Sequence, residues 1–258
     1  MKTRRFTGER LHAGDELFTV DLARHRAAYV YARAQIRAGR TLDLGSGSGH
    51  GTSELGGAGA SVVGVDRVAP DAASRSAGEG TCFARADLRS LPFRDATFDL
   101  IISFQVIEHL EDPSNYLDAI AHLLKPDGLA LLTTPNLRMS DGVNPYHVHE
   151  YLADELAARL SAYFEEIEMQ GVGMTDAVRA HMAARSRRIR RILRLDPLRL
   201  RERLPTAAAQ ALFSWFAVLV RLGARSATAA PEADWRQFPV GRASEDCLDL
   251  LALCRRPR

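Results

Sequence analysis

The chain has 258 residues, 46% of them hydrophobic, and a formal net charge of +2. That length suits one enzyme-sized domain with a full core, and the near-balanced charge argues against nucleic acid as a partner. Three scattered cysteines, Cys82, Cys247 and Cys254, form neither a metal pattern nor an even disulfide framework, which fits a reducing, cytoplasmic setting.

In chain order, residues 1–38 predict an N-terminal helical segment. Its stretch 10–17, with His12, forms part of a lid, and 21–38 is a helix carrying Tyr29 and Tyr31. The run at 41–44 is the first strand, 50–57 a helix, 61–66 the second strand and 81–86 the third. Residues 98–104 are almost continuously apolar and predict a strand buried on both faces. A helix over 113–124, capped by Asp112 or Ser114, leads to a turn at 125–128 and a fifth strand at 129–134. A helix at 151–160 and a sixth strand at 164–170 follow. Residues 174–240 read as a helical insertion before a last strand at 247–254. The basic start of the chain is followed by no apolar signal region, and the apolar run 211–220 is too short to cross a bilayer. Alternating strands and helices predict a doubly wound α/β fold, with one domain spanning 1–258.

Residues 41–49 read Thr-Leu-Asp-Leu-Gly-Ser-Gly-Ser-Gly. A buried strand ends there in an acid and a glycine turn, and the glycines leave room for a ligand against the backbone. The dinucleotide fingerprint needs Gly-x-Gly-x-x-Gly, whereas this chain has Asp-x-Gly-x-Gly-x-Gly. One strand later, Asp66 ends an apolar run. A carboxylate at that place suits the two hydroxyls of a ribose.

The pattern resembles the S-adenosylmethionine (SAM) site of class I methyltransferases. Asp87-Leu88 with the approach 91–100 resembles the family's acidic adenine-side motif, and Val106-Ile-Glu-His-Leu-Glu-Asp-Pro113 and the stretch 124–136 resemble its ubiquinone-biosynthesis-like (type 11) branch, in the right order. The resemblance implies a mostly parallel seven-stranded sheet in which strand seven lies between five and six. It implies SAM as cofactor and S-adenosylhomocysteine as product. Gly45, Ser46 and Gly47 would let the backbone approach the methionine and ribose parts, with Asp43 beneath the amino end. Asp66 would accept from the ribose hydroxyls, and Arg67 would flank the adenine. Asp87 would accept from the adenine amine, the Leu88 amide would meet a ring nitrogen, and Gln105 would border the methionine.

Methyl transfer needs alignment and often the removal of one proton. Glu108 and His109 follow the fourth strand, while His147, His149 and Glu150 follow the fifth, so all five could meet at one rim. Glu108, His109 and His147 are therefore the catalytic candidates, with His109 or His147 as general base. A divalent metal bound by these His and Glu residues is the less favoured alternative. The small-RNA terminal 2′-O-methyltransferases carry Glu-x-x-Glu-His here, and this chain has Gln105 in place of the first Glu. A third reading has Glu108 and His109 simply holding the rim together.

In the insertion, 179–203 carries ten arginines on an amphipathic pattern, and 207–222 predicts a second helix with Trp215 and Phe216 on an apolar face. The insertion is either a solvated cap or an acceptor cover that attracts an anionic, carrier-bound or lipid-linked molecule. The expected activity is SAM-dependent methylation of a small molecule, with a natural-product, sugar or glycolipid hydroxyl favoured. Two alternatives stand beside it. One is cyclisation or elimination on the same fold. The other is a SAM-binding scaffold or sensor without turnover.

Overall fold

The computed structural model describes residues 19–76, 80–88, 90–142, 144–193 and 234–258. The lid segment 10–17, the basic run beyond residue 193 and the helix expected at 207–222 lie outside them. Six helices are described: α1 (Thr19–Gln35), α2 (His50–Leu55), α3 (Ala72–Arg75), α4 (Ser114–Leu123), α5 (Ala153–Leu160) and α6 (Asp176–Leu193). The strands are β1 (Arg40–Leu44), β2 (Ser61–Asp66), β3 (Thr81–Arg85), β4 (Phe98–Phe104), β5 (Leu124–Pro135), β6 (Phe164–Val172), β7 (Val240–Arg242) and β8 (Asp249–Pro257).

They form one sheet in the order β3-β2-β1-β4-β5-β8-β6-β7. The first five of that row pair in parallel, and β8 runs antiparallel to β5 and β6 on either side. The central strands are apolar throughout because both faces are covered. Along β4, Leu100, Ile102 and Phe104 meet α1, α2 and α6, while Ile101 meets α4 and α5. All the parallel strands end at one edge, where this kind of sheet places its ligands.

Three expectations are corrected. The sheet has eight described strands, not seven, because Val240–Arg242 pairs with the end of β6 at the sheet margin. Three residues including Gly241 carry no strand pattern that could be read in advance. The turn expected at 125–128 is a bulge within β5. Phe98 pairs with Leu124 and Leu100 with Leu129, and Lys125 Nζ reaches Asp99 Oδ1 at 2.7 Å across the bulge. The last strand begins at Asp249 and runs on to Pro257, opposite Phe164 of β6.

Candidate functional site

The glycine turn joins β1 to α2. Gly45 and Gly47 have φ of 87° and 55°, values that disfavour any side chain. The amides of Gly45 and Ser46 donate to the Val65 carbonyl at 2.8 and 3.1 Å, which staples the turn to the end of β2. A Cβ built on Gly45 would lie 2.4 Å from Val106 Cγ2, so the exit of β4 packs directly on the turn. A Cβ on Gly47 would meet nothing within 4 Å. The backbone there is open to a ligand.

Asp66 terminates β2. Its Oδ2 accepts from Gly47 N at 2.9 Å and its Oδ1 from Val68 N at 2.8 Å. Each oxygen keeps acceptor capacity for a sugar hydroxyl. Arg67 is exposed, and its carbonyl accepts from Arg85 Nε at 3.1 Å. Ala86 N donates to the Asp66 carbonyl, so Asp87 stands just past the end of β2. It forms an isolated bridge with Ser90, and Leu88 packs partly buried against the core. An acidic strand end, an open glycine turn and a second acid beyond it fit an adenosine-bearing cofactor.

Asp43 is fully buried beneath the turn. Tyr29 Oη of α1 donates to both carboxylate oxygens at 3.1 Å, and Thr52 Oγ1 of α2 donates to Oδ2 at 2.6 Å. Burial pushes its pKa up to about 7; the Thr52 and Tyr29 hydrogen bonds oppose that, and Asp66 adds to it. Gly51 makes this possible: a Cβ there would lie 2.1 Å from Tyr29 Cζ. Beside it, His25 Nδ1 sits 3.4 Å from His50 Nε2, and burial, then His50 and Arg24, lower His25 to about 3. Sequence reasoning noticed Tyr29 only as a neighbour of the lid and missed Thr52 and Gly51.

At the rim, Glu108 and His109 lie in a 3₁₀ turn, Ile107–His109. Glu108 is fully buried, accepting from Thr134 Oγ1 at 3.2 Å, while its carbonyl accepts from Val148 N at 2.7 Å and His149 N at 3.2 Å. His109 Nδ1 lies 2.9 Å from the Tyr146 carbonyl. A carbonyl only accepts, so Nδ1 carries the proton and Nε2 is the basic nitrogen. The His109 and His147 rings meet edge to face at 5.2 Å. His147 is clamped, Nδ1 at 2.5 Å from Glu150 Oε1 and Nε2 at 2.7 Å from Asn144 Nδ2. Burial would raise Glu150, but hydrogen bonds from His147 and Ser140 outweigh it and hold the carboxyl below its usual range. His149 does not join the group. It is exposed and pairs with Glu155 at 2.6 Å.

Ligand atoms of Glu108, His109 and His147 lie within 4.8 Å of one another, close enough to hold a metal ion. A cation would have to displace Asn144 or Glu150 from His147. Gln105, with φ 58°, directs Nε2 to Thr133 Oγ1 at 3.3 Å.

Helices α1 and α6 close the same edge. Arg185 of α6 pairs with Asp21 of α1 at 3.1 Å, and Arg24 of α1 pairs with Asp249 of β8 at 3.4 Å. Arg179 pairs with Asp246 at 2.7 Å. Arg179 and Arg185 of the expected basic face are thus engaged in ion pairs within the chain, whereas Arg187 and Arg191 are exposed. No described helix is long and apolar enough to cross a membrane.

Residues 20–188 match the methyltransferase-domain family. The chain is 32% identical over 173 residues to a probable S-adenosylmethionine-dependent methyltransferase of Mycobacterium tuberculosis, covering 64% of this chain and 63% of that protein. It is 33% identical over 107 residues to a ubiquinone biosynthesis O-methyltransferase of Cereibacter sphaeroides, covering 38% of this chain and 41% of that protein. In fold it is similar to a SAM-dependent methyltransferase, a possible histamine N-methyltransferase, of Thermotoga maritima. That structure superposes with a TM-score of 0.57 at 14% identity, covering 94% of this chain and 93% of that one.

Proposed function

We propose, from the premise that this chain belongs to the methyltransferase-domain family of SAM-dependent enzymes, that it methylates a small molecule, with a natural-product, sugar or glycolipid hydroxyl as the favoured target. A single adjacency carries this reading. The open glycine turn and the histidine rim share one wall, because Val106 packs on Gly45 and His109 follows three residues later.

When bound, SAM supplies the methyl group on a sulfonium that departs as a neutral thioether. The chain supplies the rest. Asp66 holds the ribose, Asp87 and the Leu88 amide receive the adenine beside Arg67, and Gly45, Ser46, Gly47 and Gln105 border the methionine. Asp43 anchors the turn from beneath. His109 takes the acceptor's proton on Nε2, its ring oriented by the Tyr146 carbonyl. Its position between the Glu108 and His147 contacts fixes that ring, and both of those residues act through it.

The acceptor side is apolar at its mouth. The large hydrophobic side chains exposed among the described residues are Leu137, Val148 and Leu152, all on the segment that carries His147. Leu137 N bonds the Tyr151 carbonyl, so the strand exit and the rim loop lie side by side. Such a mouth supports an acceptor with an apolar body and a hydroxyl head. On this reading the chain is one domain, in which the described helices α1 and α6 flank the acceptor side.

Calorimetry with SAM and S-adenosylhomocysteine tests the proposal. The wild type binds both, and Asp66→Ala weakens each by about tenfold or more through loss of a charged acceptor. A wild type that binds neither would overturn the methyltransferase reading. Unchanged affinity in Asp66→Ala removes Asp66 from the site.

A further inference from the structure

Asp249 opens β8, the strand between β5 and β6, and pairs in register with Pro135 on one side and Val172 on the other. That register puts it on the ligand-bearing edge of the sheet. The residue is almost fully buried, at 3% exposure. Arg24 Nε lies 3.4 Å from Oδ2. Oδ1 accepts no well-formed hydrogen bond, although the Gln105 side-chain amide comes close enough to act on the carboxyl as a donor. A buried carboxylate oxygen without a well-formed bond is costly. Burial raises the Asp249 pKa, while Arg24, then the Gln105 side chain, oppose it; Asp21 raises it further and His147 lowers it. Those four groups come from α1, the end of β4 and the rim loop. A second orphan lies in the same corner: His181 Nδ1 of α6 is buried without a partner, and Asp21 influences it too.

The neighbours of Asp249 locate it. Gln105 immediately precedes Val106, which packs on the glycine turn, and His147 contacts the proposed base. The corner therefore lies between the cofactor turn and the acceptor rim, where the methyl group would change hands. The residues that follow it on the strand, Leu250, Leu251 and Ala252, are buried and apolar, so the acid stands alone at the end nearest the site.

We infer that Asp249 reads the charge at the transfer point, its Oδ1 favouring a cationic group there and so the sulfonium methyl donor over the neutral thioether product. The inference rests on the methyltransferase reading. It assigns the last strand a share in binding the donor. Arg24 engages the other oxygen and opposes the neutralisation that burial favours. In a site shielded from water such a charge acts over several ångströms.

Three ligands test it by calorimetry on the full chain: SAM, S-adenosylhomocysteine, and sinefungin, which carries an ammonium-bearing carbon in place of the methylated sulfur. The wild type should bind SAM and sinefungin at least about tenfold more tightly than S-adenosylhomocysteine. In Asp249→Asn the preference should fall to about twofold, with S-adenosylhomocysteine affinity unchanged. A preference that survives in Asp249→Asn overturns the inference, and so does a wild type with no preference. Should Asp249→Asn fail to fold, Asp249→Ser takes its place, and the wild-type comparison stands regardless. A wild type that binds none of the three instead removes the methyltransferase reading on which the inference rests.

Discussion

Tyr29→Phe isolates the bond between α1 and the carboxylate under the cofactor turn. The Tyr29 hydroxyl donates to both Asp43 oxygens at 3.1 Å in a site closed to water. Asp43 has an ordinary value of 3.8 and is pushed up to about 7 by burial. The unfolded chain therefore releases this proton first. Stability from the buried neutral acid is fully present below about pH 3.8 and is lost as pH rises through about 7. A gap of roughly three pKa units makes the whole effect on the order of 4 kcal/mol. Burial also raises the Tyr29 pKa well above its usual value, so the hydroxyl remains a donor throughout. Below pH 6 the substitution removes a bond to a neutral carboxyl, worth about 0.5–1.5 kcal/mol; above pH 8 it removes one to an anion, worth about 1.5–3 kcal/mol. Urea denaturation at pH 5.5 and 8.5 should therefore show a destabilisation that grows by about 1 kcal/mol between them. An equal loss at both values would mean that Asp43 does not change charge across that range.

Two further outcomes are expected. Gly51→Ala should destabilise the fold by about 1–3 kcal/mol, because the new methyl collides with the Tyr29 ring; denaturant midpoints that match the wild type would show that α1 docks elsewhere. Once an acceptor is in hand, His109→Ala should lower turnover by about 10²–10⁴ with SAM affinity unchanged. Loss of activity in EDTA, restored by a divalent ion, would shift the rim from base to metal chemistry.

The strands and the cofactor turn were legible because their signals are local. Apolar runs such as 98–104 end in turn residues, and the glycine spacing at 45–49 separates one nucleotide site from another. The rim was partly legible. In an extended chain His147 and His149 would share a face, but the loop around them is irregular, and only His147 meets His109. Contacts that depend on how distant elements meet were not legible. Arg24 and Asp249 come from opposite ends of the sequence, and Tyr29 reaches Asp43 only because α1 crosses α2 at Gly51. The 125–128 turn was misread because a Pro-Asp-Gly sequence marks a chain reversal and a strand bulge alike.

The place of β8 has a consequence for the order in which the molecule is built. The five parallel strands are contiguous in the sequence and can assemble as synthesis proceeds. β6 can pair only with the three-residue β7 until β8, made after the whole of α6, slides in between it and β5. A nascent chain would thus complete its donor turn well before its acceptor corner, and Asp249 is the first residue of the strand that completes the sheet. Until that insertion, β5 and β6 each present an open edge to other chains, so this interval is when aggregation competes most strongly with folding.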